Sequence, residues 1–269
     1  ARMTPGNYAY MGHGGEGEFT LRRNIRAFDW VELLPKGVVD VSAIQTATQV
    51  LNTKMAYPIM VSPTAFHIQL NRDAEAATYR GAMAAQNTPY IVSHNATLSK
   101  DKIAAAASSP LWFQFYPQKS MDATKTWIDQ AHAARAEAVV VTVDQQATYY
   151  ERAGHTRNLN VAPGERPKVP KRPDKGAAAY GVPEGRLWYN WKYAEDVKAL
   201  LKVPMVIKGV LTGEDAQAAL DHGFDAIYIS NHGGRTMDYT PSTFEVLEEI
   251  VDAVQGRVPV IFDSGVRNG

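Results

Sequence analysis

Seven short apolar runs punctuate the chain, and helical patterns lie between most of them. The runs are Pro58–Ala65, Tyr90–His94, Leu111–Pro117, Ala138–Asp144, Pro204–Val210, Ala226–Asn231 and Val258–Asp263. They are rich in Val and Ile and bounded by Pro, Gly or Asp, as strands covered on both faces should be. Between them, Arg72–Gln86, Ser99–Ala107, Met121–Ala136, Trp191–Leu201, Gly213–His222 and Ser242–Val254 carry apolar residues at spacings of three and four. That spacing predicts helices. Ser99 with Lys102, Thr212 with Asp215 and Ser242 with Glu245 resemble helix starts, and the last pair reads as a capping box.

Strand–helix alternation predicts a parallel sheet with helices outside it. A doubly wound sheet and a closed (β/α)8 barrel both satisfy it. Chemistry-capable side chains sit at the ends of many runs: His94, Gln114, Tyr116, Thr142, Asp144, Lys208, His232 and Asp263. A barrel gathers all its strand ends at one mouth, whereas an open sheet uses mainly its switch point. The barrel is therefore the expected fold. Residues 1–53 stand outside the repeat as a flanking segment, and 54–269 form the barrel. The stretch 145–187 is an excursion after the fourth strand, rich in Pro and charge, and such loops often act as lids. Only seven strands are visible, so the eighth-strand region is expected to be missing and the barrel incomplete at its C-terminus.

Composition narrows the chemistry. The 269 residues include 28 basic and 28 acidic side chains, a balance that gives no reason to expect nucleic acid or a membrane surface as partner. No apolar stretch approaches the roughly 20 residues needed to span a bilayer. The absence of cysteine rules out thiolate chemistry and fits a reducing, cytoplasmic setting. The seven histidines never fall at a zinc-helix spacing, so no metal is expected. No Gly-x-Gly-x-x-Gly follows a strand, so a nicotinamide cofactor is not indicated either.

The segment Ser230–Arg235 is the most informative. Ser-Asn-His-Gly-Gly-Arg closes an apolar run with an imidazole, two glycines and a guanidinium. His232 suits proton transfer near neutral pH, and Arg235 offers a planar fork matched to a carboxylate. The bland alternatives are a structural histidine and a surface ion pair. Lys208 lies inside Val-Ile-Lys-Gly-Val, where a charge is costly unless paired. It either finds a partner there or reaches out past the strand end.

These residues carry a resemblance. Tyr10 with Gly14–Glu16 and Thr20–Arg22, then Pro63–Ala65, Gln114–Tyr116, Thr142–Asp144, Lys208–Val210, Ser230–Arg235 and Asp263–Arg267, follow in an order similar to that of the FMN-dependent 2-hydroxy-acid oxidases and dehydrogenases. Glycolate oxidase, lactate oxidase and mandelate dehydrogenase belong to that family, and the run Phe244–Arg267 most resembles the lactate oxidases. The resemblance implies FMN as cofactor and a small L-2-hydroxy acid as substrate. It also implies O2 or another electron acceptor and a tetramer of barrels.

The same resemblance assigns roles. His232 would be the base, with Asp144 behind it. Arg235 and Tyr10 would hold the substrate carboxylate, and Tyr116 would hydrogen-bond the substrate hydroxyl. Arg152, in Tyr-Tyr-Glu-Arg, would touch substrate. Lys208 would face the N1/O2 edge of the flavin. Ser93, Gln114 and Thr142 would bond its polar edge, and Pro63, Thr64 and Ala65 would run along the ring. Asp263 would take the ribityl hydroxyls and Arg267 the phosphate. Ser230 and Gly265 complete the cofactor-binding set. Two rivals remain: a dehydrogenase with a different final acceptor, and a non-catalytic flavin-binding fragment. Phe66 departs from the usual small residue and is expected to narrow the pocket, whereas His67 is expected to be structural.

Overall fold

The computed structural model describes residues 3, 5–118, 120–144 and 190–267. Two helices, α1 (Pro5–Gly12) and α2 (Phe19–Arg26), precede an antiparallel pair, β1 (Thr48–Val50) and β2 (Thr53–Met55). The repeat then runs α3 (Ala74–Ala84), β3 (Tyr90–Val92), α4 (Lys100–Ala104), β4 (Leu111–Phe115), α5 (Met121–Ala133) and β5 (Ala138–Thr142). It continues with α6 (Trp191–Leu200), β6 (Met205–Val210), α7 (Gly213–Asp221), β7 (Ala226–Ile229), α8 (Leu247–Val254) and β8 (Val260–Phe262).

Strands β3 to β8 form one parallel sheet in unbroken sequence order. A doubly wound sheet would reverse order at a switch point. Unbroken order is that of a (β/α)8 barrel, the expected fold. The sheet also curls. Val61 bridges to Tyr90 at one end, while Ser62 Oγ donates to Asp263 Oδ2 (2.8 Å) beyond the last strand at the other. Ile91, Trp112, Val140, Val206 and Tyr228 pack on the inner face against Leu51 and Met60. On the outer face, residues such as Phe113, Val139, Ile207 and Ile227 meet the helices. Both faces are apolar, which is why the strands read as continuous apolar runs. No helix among the described residues is long and apolar enough to cross a membrane.

Three elements differ from the sequence reading. The run 58–65 forms a single bridge at Val61 rather than a strand. Pro58 and Pro63 bracket it, and neither has an N–H to give a ladder. The helix expected from Ser242 starts at Leu247. Glu245 does return to the Ser242 N–H (2.8 Å), but the same carboxylate holds Arg23 (2.7 Å) and Thr243 Oγ1 donates to the Asp263 carbonyl. These ties fix 242–246 as a turn against α2 and the end of β8. The flanking segment 1–53, to which the sequence reading assigned no element, holds helices: Tyr10 falls within α1, which starts at Pro5, a residue suited to a first helical position. Thr212 caps α7 as predicted, its hydroxyl accepting from Asp215 N–H (3.1 Å).

The β1–β2 pair plugs the N-terminal end of the barrel. Trp112 Nε1 donates to Thr53 Oγ1 (2.8 Å), and that hydroxyl donates to Glu137 (2.5 Å).

Candidate active site

A cavity of about 1060 Å³ opens at the opposite end of the barrel and runs inward as far as Thr48, Val50 and Met55 of the β1–β2 pair. Pro63, Thr64, Ala65, Ser93, Gln114, Tyr116, Thr142, Lys208, His232, Arg235, Asp263, Gly265 and Arg267 all line it. Residues from seven separate stretches of sequence thus meet at one mouth, as the ends of parallel barrel strands must. Asp144 and Ser230 stand behind that wall. Tyr10 lies in α1 with its side chain outside the described ones, and the residues after it, Met11, Gly12 and His13, line the cavity. Arg152 and the 145–187 excursion lie outside the described residues. Phe66, expected to narrow the pocket, is not among the lining residues and is 39% exposed, because its left-handed backbone turns it outward.

The turn after β7 sets the geometry. His232, Gly233 and Gly234 have φ of 57°, 71° and 70°, three successive left-handed residues. For His232 this conformation is uncommon and costs of order 1 kcal/mol, so the surrounding bonds must hold it. Its N–H donates to Ser230 Oγ (3.1 Å), and the Gly233 N–H donates to Ser264 Oγ (3.1 Å). The ring is fixed by Asp144: Nδ1 lies 2.8 Å from Oδ1. A carboxylate accepts only, so Nδ1 carries the proton and Nε2 is left with its lone pair. Nε2 faces Tyr116 Oη at 3.5 Å.

The N-terminal helices are welded to this turn. Gly15 N–H donates to Gly234 O (2.8 Å), and Arg235 Nη1 donates to His13 O (2.6 Å). The Asp238 carboxylate accepts from Gly17 and Thr20 N–H (3.0 and 2.8 Å), capping α2 from across the chain. Asn24 and Asn231 exchange side-chain amide bonds (2.9 and 2.7 Å). His13, Asn24, Asn231 and Asp238 are functional neighbours that sequence reasoning passed over. Asn231 and Asp238 flank the His-Gly-Gly-Arg motif and were within reach; Asn24 carries no local signal. Gly265 is the tightest contact. Its φ is 91°, and a Cβ there would sit 2.2 Å from Asn24 O. Gly265→Ala is therefore expected to lower stability by about 2–4 kcal/mol, from backbone strain plus displacement of α2. Urea unfolding would show the loss as a lower midpoint.

Lys208 is buried at the cavity floor. Its Nζ donates to Ser230 Oγ (2.7 Å) and pairs with Asp263 Oδ2 at 3.5 Å. Burial works to raise the Asp263 carboxyl, but the Lys208 charge and the hydroxyls of Ser230, Ser62 and Ser264 outweigh it and hold the group below its ordinary range. Ser62 and Tyr228 were not anticipated. Burial keeps the Tyr228 phenol well above its usual range, so it remains a neutral donor to Ser62 (3.1 Å). His67 is structural, as expected: its ring bonds Thr64 and Thr78, and burial lowers its pKa.

A model of the FMN-dependent dehydrogenase family matches residues 1–269. The chain belongs to that family. It is 35% identical to a peroxisomal (S)-2-hydroxyacid oxidase of Arabidopsis thaliana, over 97% of this chain and 74% of that protein. It is 34% identical to the glycolate oxidase of Spinacia oleracea, over 97% and 73%. A mandelate oxidase solved with (S)-2-phenylpropionate superposes with a TM-score of 0.84 at 28% identity, covering 99% of this chain and 75% of that one.

The cavity of this FMN-dependent dehydrogenase fits its cofactor. Its volume lies just above the range of small-molecule sites, roughly 300–1,000 Å³. Gln114 Nε2 and Thr142 Oγ1 are buried with no hydrogen-bond partner among the described residues. Such orphaned polar atoms are costly, and a ligand with a polar edge satisfies them. Both belong to cavity-lining residues, beside Ser93 and the Lys208 cation. Two orphaned polar atoms and a buried cation on one wall suit a ligand with a polar edge that carries negative charge. Among the described residues, no group of three or more His, Asp or Glu could hold a metal ion.

Proposed function

We propose that this enzyme oxidises a small L-2-hydroxy acid to the 2-oxo acid, with O2 as final acceptor and hydrogen peroxide as co-product. One observation carries the reading: a histidine whose Nδ1 is held by a carboxylate presents its bare Nε2 to the cavity that Arg235 also lines. Arg235 binds the substrate carboxylate, with Tyr10 as a second donor. His13 O already orients the guanidinium, so little ordering remains on binding. That clamp sets the α-carbon and its hydroxyl within reach of both Nε2 of His232 and the phenol of Tyr116. Nε2 accepts the substrate proton, and Asp144 stabilises the imidazolium as it forms. Tyr116 donates to the substrate oxygen where negative charge grows. FMN, when bound, would accept the two electrons together with the second hydrogen lost as the CH–OH group becomes C=O. Lys208 would offer it a fixed positive charge, with Gln114, Thr142 and Ser93 as hydrogen-bonding groups. Asp263, Ser230, Gly265 and Arg267 belong to the cofactor side of the site, and Pro63–Ala65 form a wall.

The relatives named above are oxidases of 2-hydroxy acids, which favours O2 over another acceptor. A stopped-flow screen of glycolate, L-lactate and L-mandelate, first under nitrogen and then in air, tests substrate and acceptor together. Bleaching of the flavin by one acid, and rapid return of colour with peroxide in air, is the expected result. A chain that bleaches with none of them is not this oxidase. Bleaching followed by slow recolouring in air means a different acceptor.

Arg235→Lys is expected to raise KM and lower kcat, because an ammonium cannot make two parallel bonds to a carboxylate. The loss in kcat/KM should be about 10²-fold, the equivalent of roughly 3 kcal/mol. Steady-state kinetics with parental values would remove Arg235 from the clamp.

A further inference from the structure

We propose that His94, unused in the reaction above, is a positioning residue that sets the Tyr116 phenol toward the substrate. The inference rests on the assignment of Tyr116 to the substrate hydroxyl. Tyr116 lies one residue past β4, whose last ladder pair is Phe115 with Val141. Its backbone polar groups are instead held by side chains. The Tyr116 N–H donates to His94 Nδ1 (3.3 Å), and its carbonyl accepts from Gln118 Nε2 (2.6 Å). The His94 ring also packs edge-on to the Tyr116 ring, with centroids 5.6 Å apart and planes at 66°.

His94 is itself locked. Its face stacks on Trp127 of α5 at 5.7 Å and 12°, and Trp127 is buried in the outer core. Its N–H donates to Gln114 Oε1 (2.9 Å). Trp127, His94 and Tyr116 thus form a row of three rings, from the helix layer to the phenol that lies 3.5 Å from His232 Nε2. Accepting the Tyr116 N–H requires the Nδ1 lone pair, so the ring does more than fill space. A shift of about 1 Å in a group that contacts the reacting atoms is enough to cost orders of magnitude in rate.

The two properties of His94 separate by substitution. His94→Phe keeps the stacked ring and loses the acceptor. His94→Asn loses the ring but places an amide oxygen where Nδ1 was. His94→Gln carries its amide one bond too far out. We expect His94→Phe and His94→Gln to slow anaerobic flavin reduction about tenfold, measured with whichever of glycolate, L-lactate and L-mandelate reduces the parent fastest. We expect His94→Asn to stay within about threefold of the parent while losing more thermal stability than His94→Phe. Flavin absorbance after desalting reports folding in every variant. In a Tyr116→Phe background, His94→Phe should add less than twofold. A parental rate in His94→Phe, an equal loss in His94→Asn, or an undiminished effect in the Tyr116→Phe background would overturn the inference while leaving Tyr116 in place. A parental rate in Tyr116→Phe alone would instead overturn the underlying assignment, and the positioning role with it.

Discussion

Replacing His232 by Ala should stop substrate-driven flavin reduction, by about 10²–10⁴-fold, while the protein stays yellow. The size follows from the geometry. Nε2 of His232 is the ring nitrogen left with a lone pair toward the cavity, and the Tyr116 phenol, 3.5 Å away, can donate to it but cannot serve as the base at neutral pH. The cofactor contacts belong to other side chains, so binding of FMN should survive. Ala leaves a second defect, because Asp144 Oδ2 already has no partner among the described residues and Oδ1 would lose its own. A nearly buried carboxylate left unpaired is destabilising by about 1–3 kcal/mol. His232→Asn separates the two effects. Its amide N–H can reach Asp144, yet it offers no basic nitrogen. Asn should therefore be as inactive as Ala but melt at a higher temperature. Anaerobic mixing would expose an error at once: reduction at the parental rate in either variant means that another group takes the proton.

Lys208→Met should be the most damaging change to the cavity floor. The ammonium is 3% exposed and faces Asp263 at 3.5 Å. Removing it strands a carboxylate among the inner-face residues, with the neutral hydroxyls of Ser62, Ser230, Ser264 and Tyr228 beside it. Breaking one side of a buried pair costs about 3 kcal/mol or more. For a chain of this size that lowers Tm by about 6 °C or more. The effect should depend on pH in a definite sense. Asp263 is held below its ordinary range in the parent, so its contribution is present above the unfolded carboxylate range, near 4, and fades as pH falls through the lowered value. Without Lys208, burial raises the Asp263 carboxyl instead. The gap in Tm between parent and variant should be widest near neutral pH and narrow below about pH 4. A constant gap across that range would show that the charge pair contributes nothing. FMN should also bind more weakly to this variant, which flavin release on dilution would measure.

How much of this was legible in the chain depends on the distance over which the physics acts. The parallel repeat was legible because strands buried on both faces must be apolar throughout, and helices resting on them must be apolar on one side. That pattern placed β3 to β8 and five of the helices within a few residues. It failed at 58–65, where two prolines deny the backbone its ladder, and at Ser242, where Arg23 and Asp263 draw a local capping signal into a tertiary contact. The chemistry of Ser230–Arg235 was legible because base, glycines and guanidinium are neighbours in sequence.

Other features were decided only in three dimensions. The family resemblance implied that Asp144 stands behind His232, 88 positions away, but no local pattern encodes that contact, and nothing along the chain says that Asp263 pairs with Lys208 while Ser230 accepts its hydrogen bond. The docking of α2 rests on Asp238 and on the Asn24–Asn231 exchange, pairs more than 200 residues apart. The sequence by itself determined which segments become strands and helices, because backbone hydrogen bonding and the alternation of apolar residues are local. It also determined the reactive groups on offer. The tertiary structure decided which nitrogen of His232 is bare, which carboxylate holds Lys208 and which polar atoms are left facing the cavity. Those outcomes depend on through-space distances of about 3 Å between strand ends, and no local pattern encodes them.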